Sequence, residues 1–406
     1  MHRNCVFLLL ALLCLANPLK GYANTQARVP GTWILLDAAS GAELKSRGAD
    51  IVKNPGELVS IMTIYTALEI MNEKGIAPED SMIVPLSDST SQENLRRIVL
   101  KPGQATPFLV LLKAIAIVGA EDAALVIAQK LAGSEANFVK RMNSVASELG
   151  LSSSRFTAPI ASKEQLSTSA DLACIARALM NKYPQAFSIF SEKEFEHAGH
   201  RQRNHNPLLW RSPEISGAVF DSSGTGLIGT LSRADNDRPP RQLIVSIIGV
   251  ASQDQTVNAA INLLRSGKLD FETLHLFAKE QPVTKVSVLS GNRDTLDVGC
   301  DQEIWVTLPR KTILSRGVGG FSTKLEYMYP LIAPIKSGEH IGTLKIFFDG
   351  KQIAEHPAIA LHEIGKGSFF SRFIDTVRLK TSRFTAQTII KGTENVSGKY
   401  NYPSVQ

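Results

Sequence analysis

The chain has 406 residues, of which 44% are hydrophobic, 20% charged and 7% aromatic. This length and apolar content exclude an intrinsically disordered protein and a small disulfide-stapled one, and they favour two globular domains with appendages. The formal net charge of +6 and the pI near 9.0 are compatible with nucleic acid, anionic lipid or a cell-wall polymer as partner. Charge alone does not choose among these three classes.

The first 23 residues have the pattern of a secretory signal peptide. Arg3 lies in a short basic start, Cys5 to Ala16 are almost all apolar, and Gly21-Tyr22-Ala23 matches a signal-peptidase site. The apolar run is shorter than a transmembrane helix requires. We therefore expect residues 1–23 to be removed on export, with a mature chain that begins near Asn24 and functions in the periplasm. This compartment disfavours nucleic acid as a partner.

Between Thr32 and Lys279, helical periodicity alternates with short β-rich runs. Strands are predicted near the two ends of this region, at 33–37 and 243–250. Between them the pattern predicts five amphipathic or buried helices, at 61–71, 108–119, 123–131, 138–149 and 170–180. Strands that pair around a helical middle are typical of an α+β domain, which we place at residues 24–280.

After residue 280 the pattern changes to short alternating strands separated by turns. Strands are predicted at 283–289, 303–308, 343–348 and 358–361, and turns at Ser290-Gly291-Asn292 and Asp349-Gly350. These signals predict a small all-β sandwich domain over residues 281–364. An amphipathic, basic segment and a polar tail are predicted over residues 365–406.

The mature chain has two cysteines, Cys174 and Cys300, which fall in different predicted domains. They are far apart in sequence, so we expect two separate thiols and no disulfide between them. An oxidising compartment would nevertheless allow one.

Several stretches of the mature chain resemble one protein family, in the same order along the sequence. They include Asn54-Pro55-Gly56, Leu100-Lys101-Pro102-Gly103, Glu121-Asp122-Ala123-Ala124, Asn206-Pro207-Leu208-Leu209-Trp210, Val306-Thr307-Leu308-Pro309-Arg310 and Gly342-Thr343-Leu344. On these motifs the chain resembles the low-molecular-mass penicillin-binding proteins, the periplasmic serine D-alanyl-D-alanine carboxypeptidases that trim peptidoglycan stem peptides. The resemblance implies a penicillin-binding-protein/β-lactamase-like domain, with a sheet flanked by a helical cluster, followed by a small β domain.

In this family a Ser-x-x-Lys motif at the start of a helix supplies the nucleophile and its base. The matching segment here is Glu57-Leu58-Val59-Ser60, with glutamate at the serine position and serine at the lysine position. No serine anywhere in the chain is followed three residues later by lysine. The resemblance therefore implies that both members of the catalytic dyad are absent.

The other two family motifs are altered as well. The Ser-x-Asn motif aligns with Gly119-Ala120-Glu121, and glycine cannot carry a proton. The Lys-Thr-Gly motif aligns, with a one-residue gap, with Val219-Phe220-Asp221. Two matches to these motifs elsewhere, Ser290-Gly291-Asn292 and Lys336-Ser337-Gly338, lie in predicted turns of the second domain, and we interpret them as coincidences.

These replacements change the expected charge of the cleft. Two lysines are lost, and Glu57, Glu121 and Asp221 add carboxylates, so an anion-binding site is expected to become acidic. At about 4 Å and an effective dielectric near 20, each contact between like charges would cost roughly 4 kcal/mol before screening. We therefore interpret the protein as an exported pseudoenzyme of the cell envelope that acts in peptidoglycan metabolism by binding or regulation, without a cofactor or a metal.

One alternative keeps catalysis. The protein would be an active serine-type carboxypeptidase, or a repurposed hydrolase, in which Ser60 attacks and Glu57 acts as base from one turn earlier on the same helix face. Against this, polar residues at an exposed helix start explain both positions without any chemistry, since a glutamate there interacts favourably with the helix dipole.

Two further alternatives involve a metal. The three carboxylates of the altered motifs could serve as oxygen ligands of a divalent cation, or they could be separately solvated. A histidine cluster could bind zinc, and it consists of His197, His200 and His205. The surroundings of these histidines resemble the family's hairpin before Leu208, which favours a polar turn.

The basic segment near the end of the chain offers a membrane contact. Residues 369–383 combine an apolar stripe with Arg372, Arg378, Lys380 and Arg383, and could lie on anionic lipid at the outer face of the inner membrane. Peptidoglycan, its stem peptides and envelope proteins are the other partners that the sequence leaves open.

Overall fold

The computed structural model describes residues 31–85, 96–98, 100–211, 213–217, 219–235 and 238–367. The predicted signal peptide and the predicted membrane-contact segment, 369–383, lie outside the described residues. The chain divides into two compact units: the first comprises residues up to Asp235 and Pro240–Leu269, and the second Asn236–Pro239 and the residues from Asp270 onward. Among the helices of the described ranges, none is both long and apolar enough to cross a membrane.

The first unit combines a sheet with a cluster of helices. Its strands are β1 (Thr32–Asp37), β2 (Glu43–Arg47), β3 (Ser81–Ile83), β4 (Ala105–Pro107), β5 (Glu194–His197), β6 (His200–Arg203), β7 (Ile215–Ser216), β8 (Gly226–Asp235) and β9 (Arg238–Ile248). Its helices are α1 (Ser60–Lys74), α2 (Phe108–Val118), α3 (Glu121–Ala132), α4 (Glu135–Glu148), α5 (Ser169–Lys182), α6 (Pro184–Ser188), α7 (Leu208–Arg211) and α8 (Gln253–Asp270). The five helices predicted from the sequence correspond to α1–α5, and the two predicted strands to β1 and β9.

The main sheet of this unit has the strand order β2-β1-β9-β8-β7. β1 and β9 are antiparallel neighbours, with Trp33 opposite Ile247 and Leu35 opposite Val245. This confirms the predicted pairing of strands from the two ends of the region. Alternate residues of both strands belong to two different hydrophobic clusters, one with the helices α1–α5 and one with α8. Burial on both faces explains why these strands are almost continuously apolar.

Helix α1 forms the centre of the helical cluster. Every residue from Ile61 to Met71 is buried, and α2, α3, α4 and α5 all contact this helix. A helix that is covered on all sides belongs to the core, and its position is fixed by packing in every direction. The residues at its start, from Glu57 to Ser60, are therefore held by a rigid element.

The second unit is a small β domain. Its elements are β10 (Phe271–Phe277), β11 (Thr284–Leu289), β12 (Thr295–Gly299), β13 (Ile304–Pro309), α9 (Arg310–Arg316), β14 (Phe321–Tyr327), β15 (Leu331–Ile332), β16 (His340–Phe348) and β17 (Lys351–Ala360). A six-stranded sheet with the order β14-β16-β17-β12-β11-β15 accompanies the pair β10-β13, and both contribute to one hydrophobic cluster. The predicted fold class, an α+β domain followed by an all-β domain, is confirmed. The short helix α9 was not predicted.

The second unit begins before residue 281, where the sequence pattern placed the boundary. β10 pairs with β13, with Phe271 opposite Pro309 and Thr273 opposite Thr307. β10 also follows α8 directly, so no polar linker marks the change of unit. Residues 271–277 therefore belong with the β domain.

The two cysteines of the described residues lie in different units, and no disulfide joins them. Cys300 is buried in the second unit. Burial, with a smaller contribution from the charge of Asp301, raises the pKa of the Cys300 thiol to about 12. A thiol with so high a pKa is a poor nucleophile at neutral pH.

Candidate functional site

A cleft of about 530 Å³, including its open mouth, lies at the start of α1 in the first unit. Its wall contains six of the seven predicted site residues: Glu57, Ser60, Gly119, Glu121, Val219 and Phe220. The seventh, Asp221, follows Phe220 on a turn and is 8% exposed. Asn204, His205 and Asn206 add polar groups to the same wall. The three altered motifs are thus brought together in space.

The segment before α1 presents Glu57 to the cleft. The side-chain oxygen of Asn54 accepts the Gly56 N–H at 2.8 Å, which closes a tight turn. The amide nitrogen of Asn54 donates to the carbonyls of Ser162 at 2.7 Å and Gln165 at 3.1 Å. These bonds fix the turn against a neighbouring loop, and the chain then enters a short 3-10 turn that contains Glu57.

Arg96 occupies the space between Glu57 and Gly119. Its Nη2 donates to Glu57 Oε1 at 2.8 Å and its Nη1 to Glu57 Oε2 at 3.1 Å, which is a bidentate ion pair. A Cβ atom on Gly119 would lie 2.5 Å from Arg96 Nη1, and Gly119 has a φ of +65° at the C-terminal cap of α2. The glycine at the family's serine position therefore serves two needs: it ends a helix and makes room for the guanidinium.

A turn after the third altered motif supplies two more donors to Glu57. The backbone N–H of Ser222 donates to Oε2 at 3.2 Å, and the Ser222 hydroxyl donates to Oε1. The turn is closed by Asp221, whose Oδ1 accepts the N–H of Ser223 at 2.8 Å. A Cβ on Gly56, where φ is +55°, would collide with Asp221 Oδ2. The glycine thus allows the turn to approach Glu57.

The start of α3 holds the backbone of Arg96. Glu121 Oε2 accepts the Arg96 N–H at 3.1 Å, and the Glu121 N–H donates to the Arg96 carbonyl at 2.9 Å. Next to it, the buried carboxyl group of Asp122 accepts the Ile98 N–H at 3.2 Å, and burial raises the pKa of Asp122. Carboxylates are favourable at a helix N-terminus. Glu121 therefore positions Arg96 in this structure.

The expectation of an acidic cleft needs correction at one of its three carboxylates. Glu57 is paired with Arg96, a cation that the sequence pattern did not indicate. Asp221 is nearly buried, and its carboxylate closes a turn. Glu121 lines the cleft while it holds the Arg96 backbone. At the nucleophile position, an internal ion pair thus stands where an unpaired carboxylate was expected.

The metal alternatives gain no support from these positions. Within the described ranges, no group of three or more His, Cys, Asp and Glu side chains is arranged to hold a metal ion. His197 and His200 face each other across the β5–β6 hairpin, as the polar-turn interpretation predicted. His205 lies apart from them on the cleft wall. Partial burial and the Arg96 charge lower the pKa of His205, which favours its neutral form.

Ser60 is the first residue of α1 and lines the cleft. Among the described residues, no hydrogen bond joins its hydroxyl to Glu57. The carboxylate of Glu57 already accepts four hydrogen bonds, two from Arg96 and two from Ser222. A carboxylate has about four lone-pair positions for such bonds. Both oxygens of Glu57 are therefore occupied in this structure.

Comparisons with known proteins agree with this fold. Residues 22–230 match the family described as D-alanyl-D-alanine carboxypeptidase, and residues 271–366 match the penicillin-binding protein 5 C-terminal domain. The chain is 29% identical over 374 residues to D-alanyl-D-alanine carboxypeptidase DacA of Escherichia coli (strain K12), covering 88% of this chain and 90% of that protein. It is 28% identical over 357 residues to DacD of the same strain, covering 85% and 89%.

A solved structure gives the same result for the fold. Penicillin-binding protein 5 from Haemophilus influenzae matches with a TM-score of 0.73 at 23% identity, over 85% of this chain and 100% of that one. The matched regions span both units described above. The chain therefore belongs to the D-alanyl-D-alanine carboxypeptidase family of low-molecular-mass penicillin-binding proteins.

Proposed function

We propose that this protein is a non-catalytic member of its family, which acts in peptidoglycan metabolism by binding stem peptides or by regulation and does not hydrolyse them. The observation that carries the proposal is the Glu57–Arg96 ion pair at the nucleophile position. The family's chemistry requires a serine hydroxyl at this position, with a lysine one turn later as its base. Here a carboxylate stands there instead, with both oxygens bonded.

The geometry also disfavours a substitute mechanism. A nucleophile needs a base within about 2.6–3.2 Å, in the apo state or after a small adjustment. Glu57 would have to release Arg96 and Ser222 before it could accept a proton from Ser60. Removing nucleophile and base together costs several orders of magnitude in rate, and only a residual from binding and electrostatics is left. We therefore expect no measurable turnover.

The alternative function is an active carboxypeptidase or hydrolase that uses Ser60. One observation favours it: Ser60 lies in the same cleft as His205, whose lowered pKa keeps an imidazole base available. This alternative requires Ser60 for any activity. An activity assay of the wild type and of Ser60→Ala therefore distinguishes this alternative from the proposal.

The test is release of D-alanine from a synthetic peptide that ends in D-Ala-D-Ala. We expect the purified protein to release D-alanine no faster than a buffer blank, and the Ser60→Ala variant to behave identically. An active family member in the same assay controls for peptide quality. Release by the wild type that disappears in Ser60→Ala would establish the alternative and refute the proposal.

We also propose that the chain is exported and works in the periplasm, where its stem-peptide ligands and envelope proteins are found. The support is the N-terminal sequence pattern and the family. A peripheral contact with the inner membrane through residues 369–383 rests on the basic amphipathic pattern of that segment alone. Flotation with anionic liposomes, with and without this segment, tests the contact, and equal flotation of both proteins would exclude it.

A further inference from the structure

Four donors converge on one carboxylate in the cleft. Two guanidinium N–H groups of Arg96, one backbone N–H and one hydroxyl of Ser222 all point at Glu57. Such a set, with a planar fork and a backbone amide, is the kind of arrangement by which proteins recognise the carboxylates of ligands. The anion that fills it here is supplied by the chain itself.

Neighbouring residues hold Arg96 and Ser222 next to Glu57. Arg96 reaches Glu57 through space that a side chain at position 119 would block. Its backbone is tied to the start of α3 through Glu121. Ser222 follows Asp221, whose carboxylate closes the turn next to Gly56. The backbone segments that carry the two donor residues thus also have contacts that do not involve the Glu57 side chain.

Arg96 and Glu57 can be reached from the cleft. Their side chains are 31% and 27% exposed. Both line the cleft of about 530 Å³, together with Ser60, His205 and Phe220. Ser222 lies two residues after Phe220 and is exposed. A small carboxylate that takes the place of the Glu57 carboxylate therefore meets the same four donors.

We infer that Arg96 and Ser222 form a receptor site for the terminal carboxylate of a peptide ligand, and that Glu57 closes this site as an internal competitor. This rests on the proposed function, because a hydrolase that used Glu57 as a base would need its carboxylate free. An internal competitor acts at a high effective concentration, since it is tethered beside the site. Wild-type protein therefore binds external carboxylates weakly, and any event that withdraws Glu57 increases their affinity.

The test uses acetate as the probe and thermal unfolding as the readout. In Glu57→Ala the donors are unoccupied, and acetate at about 100 mM should raise the Tm by about 2–4 °C if its Kd is near 10 mM. The reference is sodium chloride at the same ionic strength. Acetamide, which has the same shape without the charge, should have no such effect. Wild type should respond to acetate less than Glu57→Ala does.

Glu164→Ala is the control, because it removes an exposed carboxylate of the same unit and leaves Glu57 on its donors. Its acetate response should equal that of the wild type. The double variant Glu57→Ala/Arg96→Ala should lose the response. Equal acetate shifts in wild type, Glu57→Ala and Glu164→Ala would overturn the inference.

Two further measurements cover other outcomes. If Glu57→Ala does not fold, Glu57→Asp takes its place, because it retains the charge but is one methylene shorter. Acetate should then stabilise Glu57→Asp more than the wild type, and an equal shift overturns the inference.

A second measurement tests whether the carboxylate can be that of a peptide. N-acetyl-D-alanyl-D-alanine should bind Glu57→Ala at least about tenfold more tightly than wild type, and its C-terminal amide should show no such gain. D-alanine release would refute the proposed function, whereas these binding comparisons test the receptor site separately.

Discussion

Replacing Asp37 with alanine should lower the free energy of unfolding of the protein by about 3–5 kcal/mol, the usual cost of leaving a buried charge without its partner. Asp37 is fully buried at the end of β1, and its Oδ2 accepts the Nε–H of Arg241 on β9 at 3.0 Å. Arg241 is 4% exposed and also donates to the carbonyl of Gly267 in α8 at 3.1 Å. The pair thus joins two strands and a helix of the first unit.

Urea unfolding followed by tryptophan fluorescence measures this loss. Glu164→Ala is a suitable control, since it removes a carboxylate from an exposed position of the same unit. We expect the control to change stability by less than about 0.5 kcal/mol. The double variant Asp37→Ala/Arg241→Met should recover part of the loss, because it removes both charges of the ion pair. A loss in Asp37→Ala no larger than in Glu164→Ala would contradict the assigned role.

Replacing Gly56 with alanine should cost about 2–3 kcal/mol and detach Ser222 from Glu57. About 1 kcal/mol of this arises from the φ of +55°, which alanine adopts poorly. The remainder arises because the new Cβ collides with Asp221 Oδ2 and displaces the turn that carries Ser222. The Glu57 carboxylate would then lose the two donors of Ser222 and keep the two of Arg96.

Gly75→Ala provides a close control for this substitution. Gly75 has a φ of +66°, and nothing lies within 4 Å of the position of its Cβ, so alanine there meets backbone strain without a collision. The difference in unfolding free energy between the two variants, about 1–2 kcal/mol, therefore measures the contact with Asp221. Gly56→Ala/Asp221→Ala should remove most of that difference. Equal losses for Gly56→Ala and Gly75→Ala would show that the turn does not depend on the glycine.

The arrangement of the first unit was largely predictable from the sequence, because its signals are local and strong. The continuous apolar runs of β1 and β9 and the periodicity of α1–α5 each reflect burial that the fold then provides. Helix α9 was missed for the opposite reason. It is seven residues long and only Ile313 is buried in it, so it carries almost no periodic pattern. The start of β10 was missed because it follows α8 without a linker.

The site was predictable in its positions and not in its contacts. The resemblance assigned Glu57, Gly119 and Val219 to the first positions of the three family motifs. All three residues line the cleft. Arg96 was not found, since it lies 39 residues from Glu57 and 25 from Glu121 and carries no motif. A partly buried carboxylate needs a cation or several donors, and this rule indicates that a partner exists. The rule does not identify which basic residue, distant in the sequence, is the partner.

The residues around the altered motifs are physically coupled. Glycine at 119 leaves room for Arg96, and Arg96 pairs with the glutamate at the nucleophile position. The turn beside Gly56 brings Ser222 to the same carboxylate. Such agreement among neighbouring residues is expected of a stable arrangement, and Glu57 is therefore not an orphaned charge.

Intact-mass spectrometry after incubation with penicillin tests the central claim most directly, because acylation is the first chemical step of any serine-based mechanism in this cleft. The account predicts that the protein keeps its unmodified mass over hours, under conditions in which an active family member is fully acylated. An adduct of the mass of penicillin, located at Ser60 by peptide mapping and absent from Ser60→Ala, would contradict it.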